Sequence, residues 1–149
     1  MMILHHVGMT VRDLQASVEF YCTIVGCRIR ARSESAGEEV ETLTGVPGAE
    51  VAIADLDVPS GGYLELIQYL SPRTAPLHQD RPQPGHTHVA FRTDDVDAIY
   101  QRLLEHGAPV TSPPVTIVDP GSDWDGARAF YATDPDGRTI EFVSMRRAR

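Results

Sequence analysis

Two halves of this chain repeat one pattern, and that duplication limits the fold more than any other feature. His6-Val7-Gly8-Met9-Thr10-Val11-Arg12-Asp13-Leu14 aligns with His88-Val89-Ala90-Phe91-Arg92-Thr93-Asp94-Asp95-Val96 at an offset of 82 (88 − 6). Further on, Leu64-Glu65-Leu66-Ile67-Gln68 aligns with Ile140-Glu141-Phe142-Val143-Ser144 at an offset of 76 (141 − 65). The second half is therefore a slightly shorter copy of the first. A chain of 149 residues holds one compact domain, and two half-modules sharing it fit that length. We read module 1 over about residues 1–70, a linker over 71–85 and module 2 over 86–149.

The same local order is expected in each module. Residues 3–11 alternate, with Val7, Met9 and Val11 on one face and His6, Gly8 and Thr10 on the other, which is the period of a half-buried strand. Asp13 then caps a helix whose stripe includes Leu14, Val18, Tyr21 and Val25, and Gly26 ends it. Module 2 repeats this with a strand over 86–93, a cap at Asp94 or Asp95, a helix carrying Val96, Ile99, Tyr100, Leu103 and Leu104, and Gly107. Three strands follow each helix, near 27–35, 50–57 and 62–70, then near 109–118, 126–133 and 139–145. Asp134-Pro135-Asp136-Gly137 and Gly61-Gly62 are the turns before the last strand of each set. The prolines at 72, 76, 82 and 84 mark the linker, and 36–49 and 112–126 are read as the longest loops, placed to act as lids.

Composition excludes several functions. A net charge of −8 argues against a nucleic-acid surface. Thirteen arginines and no lysine rule out Schiff-base and lysine general-base chemistry. No stretch has the apolar length of a membrane span and no leader pattern opens the chain, so a cytoplasmic protein is expected. Cys22 and Cys27, without a denser framework, read as free thiols that fill apolar space.

Strand period puts His6, Glu65, His88 and Glu141 on faces turned away from the helices. Two imidazoles and two carboxylates suit one divalent transition metal: Zn, Mn, Fe, Co or Ni. An unpaired carboxylate inside Tyr63-Leu64-Glu65-Leu66-Ile67 or Thr139-Ile140-Glu141-Phe142-Val143 is costly without a cation or several donors. Arg92, on the His88 face, and Arg128, on the strand before Glu141, are candidates to hold a substrate anion. Tyr69 and Trp124 are candidates to line or cap the substrate site, with Tyr63, Phe130 and Tyr131 as further aromatic lining. His5, His78, His86 and His106 are read as surface residues, His86 being the best placed to support a ligand.

The run His6-Val7-Gly8, Asp13-Leu14, Ser17-Val18-Glu19-Phe20-Tyr21, Gly26-Cys27, Leu64-Glu65-Leu66, Gly85-His86-Thr87-His88-Val89-Ala90-Phe91 and Asp134 to Phe142 resembles the vicinal oxygen chelate superfamily. That superfamily includes glyoxalase I, methylmalonyl-CoA epimerase, extradiol dioxygenases and bleomycin- or fosfomycin-resistance proteins. The resemblance implies an α+β fold in which two tandem βαβββ modules form a cupped mixed sheet around a central cavity, and a homodimer. Its ligand positions match His6, Glu65, His88 and Glu141. Ring-cleaving dioxygenases leave the second position free, so Glu65 points to the isomerase and lyase branches. Glutathione-dependent glyoxalases carry an Arg and an Asn where this chain has Thr10 and Tyr69, which favours an epimerase-like substrate.

The expected chemistry is proton abstraction beside a carbonyl or thioester through a metal-stabilised enolate, with Glu141 as leading base and Glu65 as the second. Two alternatives stay open. One is a metal-free protein that binds a drug or natural product; the other is an Fe(II) dioxygenase of the extradiol type.

Overall fold

A computed structural model describes residues 1–59, 61–73, 75 and 83–146. The chain divides into two compact units, Met1–Leu77 and His78–Arg149. The division falls in the expected linker, most of whose central residues, with His78, lie outside the described ones.

In the first unit, β1 (Val7–Thr10) leads to α1 (Leu14–Phe20), which continues as a π-helical turn over Tyr21–Val25. The Asp13 side chain accepts the Ala16 N–H at 3.0 Å, satisfying one of the donors that open the helix. Gly26 closes it at φ 83°, a left-handed conformation that glycine adopts without strain. Then come β2 (Arg28–Ala36), α2 (Glu38–Thr44), β3 (Glu50–Asp57) and β4 (Tyr63–Ser71). The strands form one sheet in the order β1-β4-β3-β2, with β1 parallel to β4 and the other pairs antiparallel.

Burial explains which face is which. Met9, Leu64 and Leu66 are buried, as are Leu14 and Val18 of α1 and Tyr21 and Ile24 of the turn after it, and α1 packs on β3 and β4. The Tyr21 hydroxyl reaches the Met9 sulfur at 3.6 Å. Gly8 and Thr10, alternating with Met9, face away from this helix. Cys27 is buried and Cys22 half-buried, both as free thiols. Burial chiefly, then Cys22 and Asp57 nearby, pushes the Cys27 thiol up to about 12, so it is inert as a nucleophile at neutral pH.

The second unit has the same plan: β5 (Val89–Arg92), α3 (Val96–Glu105), β6 (Val115–Thr116), β7 (Arg128–Thr133) and β8 (Thr139–Ser144), in the order β5-β8-β7-β6 with β5 parallel to β8. Asp95, rather than Asp94, is the cap; its side chain accepts the Ala98 N–H at 2.9 Å. Phe142 stacks on Phe91 and Phe130 with ring centroids 5.9 and 5.5 Å apart, and Tyr100 of α3 meets Phe130 edge-on. Phe130 therefore belongs to the helix-facing core and not to a substrate lining.

The two sheets and few helices make the protein α+β, as expected. Four segments differ from expectation. Residues 38–44 form a helix where a loop was expected: Gly37 and Gly45 bound it at φ 96° and 69°, and Glu38, Glu39 and Glu41 in its first turn favour the positive end of the helix dipole. A strand over 109–118 shrinks to Val115–Thr116 and one isolated bridge, Val110 to Ala132. Pro109, Pro113 and Pro114 have no N–H to give to a ladder. Strands β1 and β5 are also shorter than expected, so His6 and His88 stand just ahead of them. Among the described residues no helix is long and apolar enough to cross a membrane.

The turn before β8 is held from inside. The Asp134 carboxylate is buried and accepts the N–H groups of Asp136 and Arg138 at 3.0 and 2.8 Å and the Arg138 guanidinium at 2.7 Å. Asp134→Ala leaves those donors without their acceptor and is expected to cost about 2–4 kcal/mol in urea unfolding. A loss under about 0.5 kcal/mol would show that water replaces the carboxylate.

Candidate metal centre

Pairing β1 with β4 sets Gly8 opposite Glu65, and pairing β5 with β8 sets Ala90 opposite Glu141. Each His lies two residues before that partner, on the same face by strand alternation. The result is one His–Glu pair per unit. His6 Nε2 lies 3.3 Å from Glu65 Oε2, and His88 Nε2 lies 3.1 Å from Glu141 Oε2. The Glu141 side chain is only 12% exposed, while that of His88 is 41% exposed.

The donor types and spacing of these pairs are compatible with a cation and equally with a hydrogen bond from the ring N–H to the carboxylate. A neutral imidazole nitrogen and a carboxylate oxygen at this distance oppose lone pair to lone pair unless a proton or a metal lies between them. Metal–nitrogen and metal–oxygen bonds of about 2.0–2.2 Å at angles of about 90–109° place adjacent donors roughly 2.9–3.4 Å apart. Both pairs fall in that range. Gly8 adds room: a Cβ there would meet Glu65 Oε2 at 3.5 Å and His6 Nε2 at 3.9 Å, filling the notch beside the pair. Among the described residues no group of three or more His, Cys, Asp or Glu side chains is arranged to hold a metal ion; within each unit the gathering is a pair.

The surroundings of the two pairs differ. The His6 ring stacks on Tyr63 at 5.2 Å and 27°, and its Nδ1 lies 2.9 Å from His5 Nδ1. His88 meets Tyr131 edge-on at 5.5 Å. His86, half-buried, contacts the Thr139 hydroxyl at 3.1 Å, which holds the chain just before His88.

Asp55, overlooked at the sequence level, stands directly across from Glu65 on β3. Its Oδ1 is buried and has no hydrogen-bond partner among the described residues. A buried carboxylate oxygen without a donor is costly, so this face of the sheet suits a cation or a donor-bearing ligand. The signal was present in the alternation Ile53, Asp55, Asp57, which puts both acids on the Glu65 face.

The proposed substrate residues have these positions. Arg92 is exposed on the His88 face of β5. Arg128 forms a two-pronged ion pair with Asp97 of α3, with Nη2 2.9 Å from Oδ1. That pairing lowers the Asp97 carboxyl below its usual range and raises the arginine, so an incoming anion has to compete with Asp97. Tyr69 is half-buried on the Glu65 face, opposite Val51. Trp124 is 42% exposed in a loop whose backbone is fixed by the Ser122 hydroxyl and the Ala127 N–H.

Two tandem units with this strand order and these paired side chains define a class, and comparison with known proteins agrees. The chain belongs to the glyoxalase/bleomycin resistance protein/dioxygenase superfamily, whose family model matches residues 3–142. It is 32% identical over 149 residues to a 2-epi-5-epi-valiolone epimerase of Actinomyces sp., covering 95% of this chain and 79% of that one. The crystal structure of a glyoxalase family protein from Bacillus cereus superposes with a TM-score of 0.83 at 25% identity, covering 97% of this chain and 95% of that one. FosX from Listeria monocytogenes, a fosfomycin resistance protein crystallised with Mn(II) and sulfate, shares the fold at a TM-score of 0.63 and 16% identity, covering 96% and 93%. The family includes enzymes, and a divalent metal is common among its members.

Proposed function

We propose that this protein is a metal-dependent isomerase or lyase, nearest in chemistry to an epimerase, that moves a proton on the carbon beside a carbonyl or thioester. The observation that carries this reading is the repeated pair, a His ring nitrogen 3.1–3.3 Å from a Glu carboxylate on the adjoining parallel strand. The relative named as an epimerase supports the branch.

His6, Glu65, His88 and Glu141 are the proposed ligands of one divalent transition metal. When bound, such an ion supplies Lewis-acid polarisation of the substrate carbonyl. The remaining work falls to the side chains. Glu141 Oε accepts the proton as the carbon–hydrogen bond breaks and its electron pair moves toward the carbonyl oxygen. Inversion at that carbon requires a proton to return from the other side; Glu65, the matching carboxylate of the first unit, is the proposed acid, entering the step protonated, after which Glu141 gives its proton to water and Glu65 takes one back. Arg92 is the proposed holder of a substrate anion, with Arg128 as the candidate that must first release Asp97. Tyr69 and Trp124 are proposed contacts for the apolar parts of the substrate. A homodimer acting on a small carbonyl compound completes the proposal.

The test is solvent exchange. Mn²⁺-loaded protein in D₂O, offered a panel of hydroxyketones, 2-oxoacids and acyl-CoA thioesters, is expected to incorporate deuterium beside the carbonyl of at least one class. Binding of a panel member without any exchange refutes the enzyme reading and leaves a binding protein.

A further inference from the structure

We propose that Asp55 is a specificity-determining residue whose carboxylate accepts a hydrogen bond from a hydroxyl of the substrate, which makes hydroxyketones the substrate class. The proposal rests on the isomerase or lyase reading of the His6–Glu65 face and narrows it.

Register surrounds Asp55 with side chains that cannot serve it. Glu65 of β4 lies across from it on one side and Ala31 of β2 on the other, and along β3 its neighbours on the same face are Ile53 and Asp57. Ala31 and Ile53 carry no polar side-chain atom, and ionised Glu65 and Asp57 only accept. The Arg30 guanidinium lies over the Tyr63 ring on this face, but it is held by Asp57, with Nε 2.7 Å and Nη2 2.6 Å from Oδ1. Among the described residues nothing donates to the buried Asp55 Oδ1. Such an oxygen destabilises the free chain and is satisfied when a ligand brings the donor.

The donor that fits is an uncharged hydroxyl. Neighbouring strands run about 4.8 Å apart, so Asp55 stands one strand beyond Glu65, on the side away from β1 and His6. A substrate whose reacting carbon sits at the His6–Glu65 pair reaches Asp55 with a group one or two bonds further on. Asp55 as a whole is half-buried, so its carboxylate meets this face, and the soft terminal torsion of an aspartate lets the covered oxygen turn outward. A substrate anion here would lie against Asp55, Asp57 and Glu65 and be repelled. A further metal ion lacks ligands, since among the described residues no three His, Cys, Asp or Glu side chains are arranged to hold one. In the second unit the counterpart of Asp55, at the offset of 76 (131 − 55), is Tyr131, which stands across from Glu141 and meets His88 edge-on. The duplicated halves have diverged beside their glutamates, a carboxylate in one and a phenol in the other.

Asp55→Val removes both oxygens and keeps a branched side chain suited to a strand, and Asp55→Asn keeps the size and one acceptor oxygen. Hydroxyacetone, butanone and aminoacetone share one skeleton and differ in a single group, a hydroxyl, a methyl or an ammonium. Ligand-observed NMR titrations with the metal-free and the Zn²⁺-loaded chain are expected to show wild type binding hydroxyacetone at least about 10-fold more tightly than butanone. That preference is expected to vanish in Asp55→Val and to shrink in Asp55→Asn. Without ligand, the urea midpoints of both variants are expected to equal or exceed wild type, by up to about 0.5 M, because the orphaned oxygen is gone. A preference that survives in Asp55→Val overturns the proposal, as does equal binding of hydroxyacetone and butanone. Tighter binding of aminoacetone makes the partner a cation and overturns it, and so does a lowered urea midpoint in both variants, which makes Asp55 a support of the fold. A hydroxyl preference lost in Asp55→Val, with no deuterium exchange from any panel member, defeats the isomerase or lyase reading and leaves the role of Asp55 standing. Exchange without that preference does the reverse.

Discussion

Glu141→Gln is expected to fold normally and to lose roughly 10²–10⁴-fold in turnover, the usual contribution of a general base. The amide has the size of the carboxylate, so the neighbouring Phe142 core and the pairing with Ala90 and Tyr131 stay as they are. What changes is basicity: a neutral amide cannot take a proton from carbon. Because the Glu141 side chain is only 12% exposed, bulk water does not readily replace it as base. The measurement is solvent-deuterium exchange on the best substrate, beside metal content. Loss of exchange with much of the metal retained separates the base from the ligand role; full turnover in the variant ends the assignment of Glu141 as base.

His88→Ala is expected to abolish metal binding, with affinity lowered by more than about 100-fold, since loss of a supporting hydrogen bond alone costs 10–100-fold at such sites. Its side chain is 41% exposed, so truncation opens no cavity in the core and stability changes little. Elemental analysis of wild type and variant, with circular dichroism as the folding control, reads this out. About one equivalent of metal in wild type, lost in the variant, supports the four proposed ligands. No metal in either protein, after exposure to Mn²⁺, Fe²⁺, Co²⁺, Ni²⁺ and Zn²⁺, removes the catalytic reading and favours a metal-free binding protein.

Asp55 and Arg128 show how partners change a reading. As a lone arginine on a strand, Arg128 is a good anion holder; with Asp97 opposite, its guanidinium already has a carboxylate. Asp55 looks like one more acid in an alternating strand until register sets it beside Glu65 with an oxygen that no described residue satisfies. Neither relation is local in sequence, because 31 residues separate Arg128 from Asp97 (128 − 97) and ten separate Asp55 from Glu65 (65 − 55).

By itself the sequence determined what depends on neighbours a few residues away or on internal repetition. Asp13 caps its helix through the N–H three residues on, Gly26 ends that helix at positive φ, and alternation assigns His6 and Glu65 to one face and Met9 and Leu64 to the other. The repeat at offsets of 82 and 76 named the two histidines and the two glutamates, while the strand order that sets them in pairs came from the structure. Tertiary structure decided the rest. The prolines of 109–118 stop a ladder only because a partner strand needs their missing N–H groups, and Asp55 meets Glu65 only once β3 and β4 lie side by side. Contacts between residues distant in sequence depend on register and on rotamers chosen in packing, and periodicity alone carries neither.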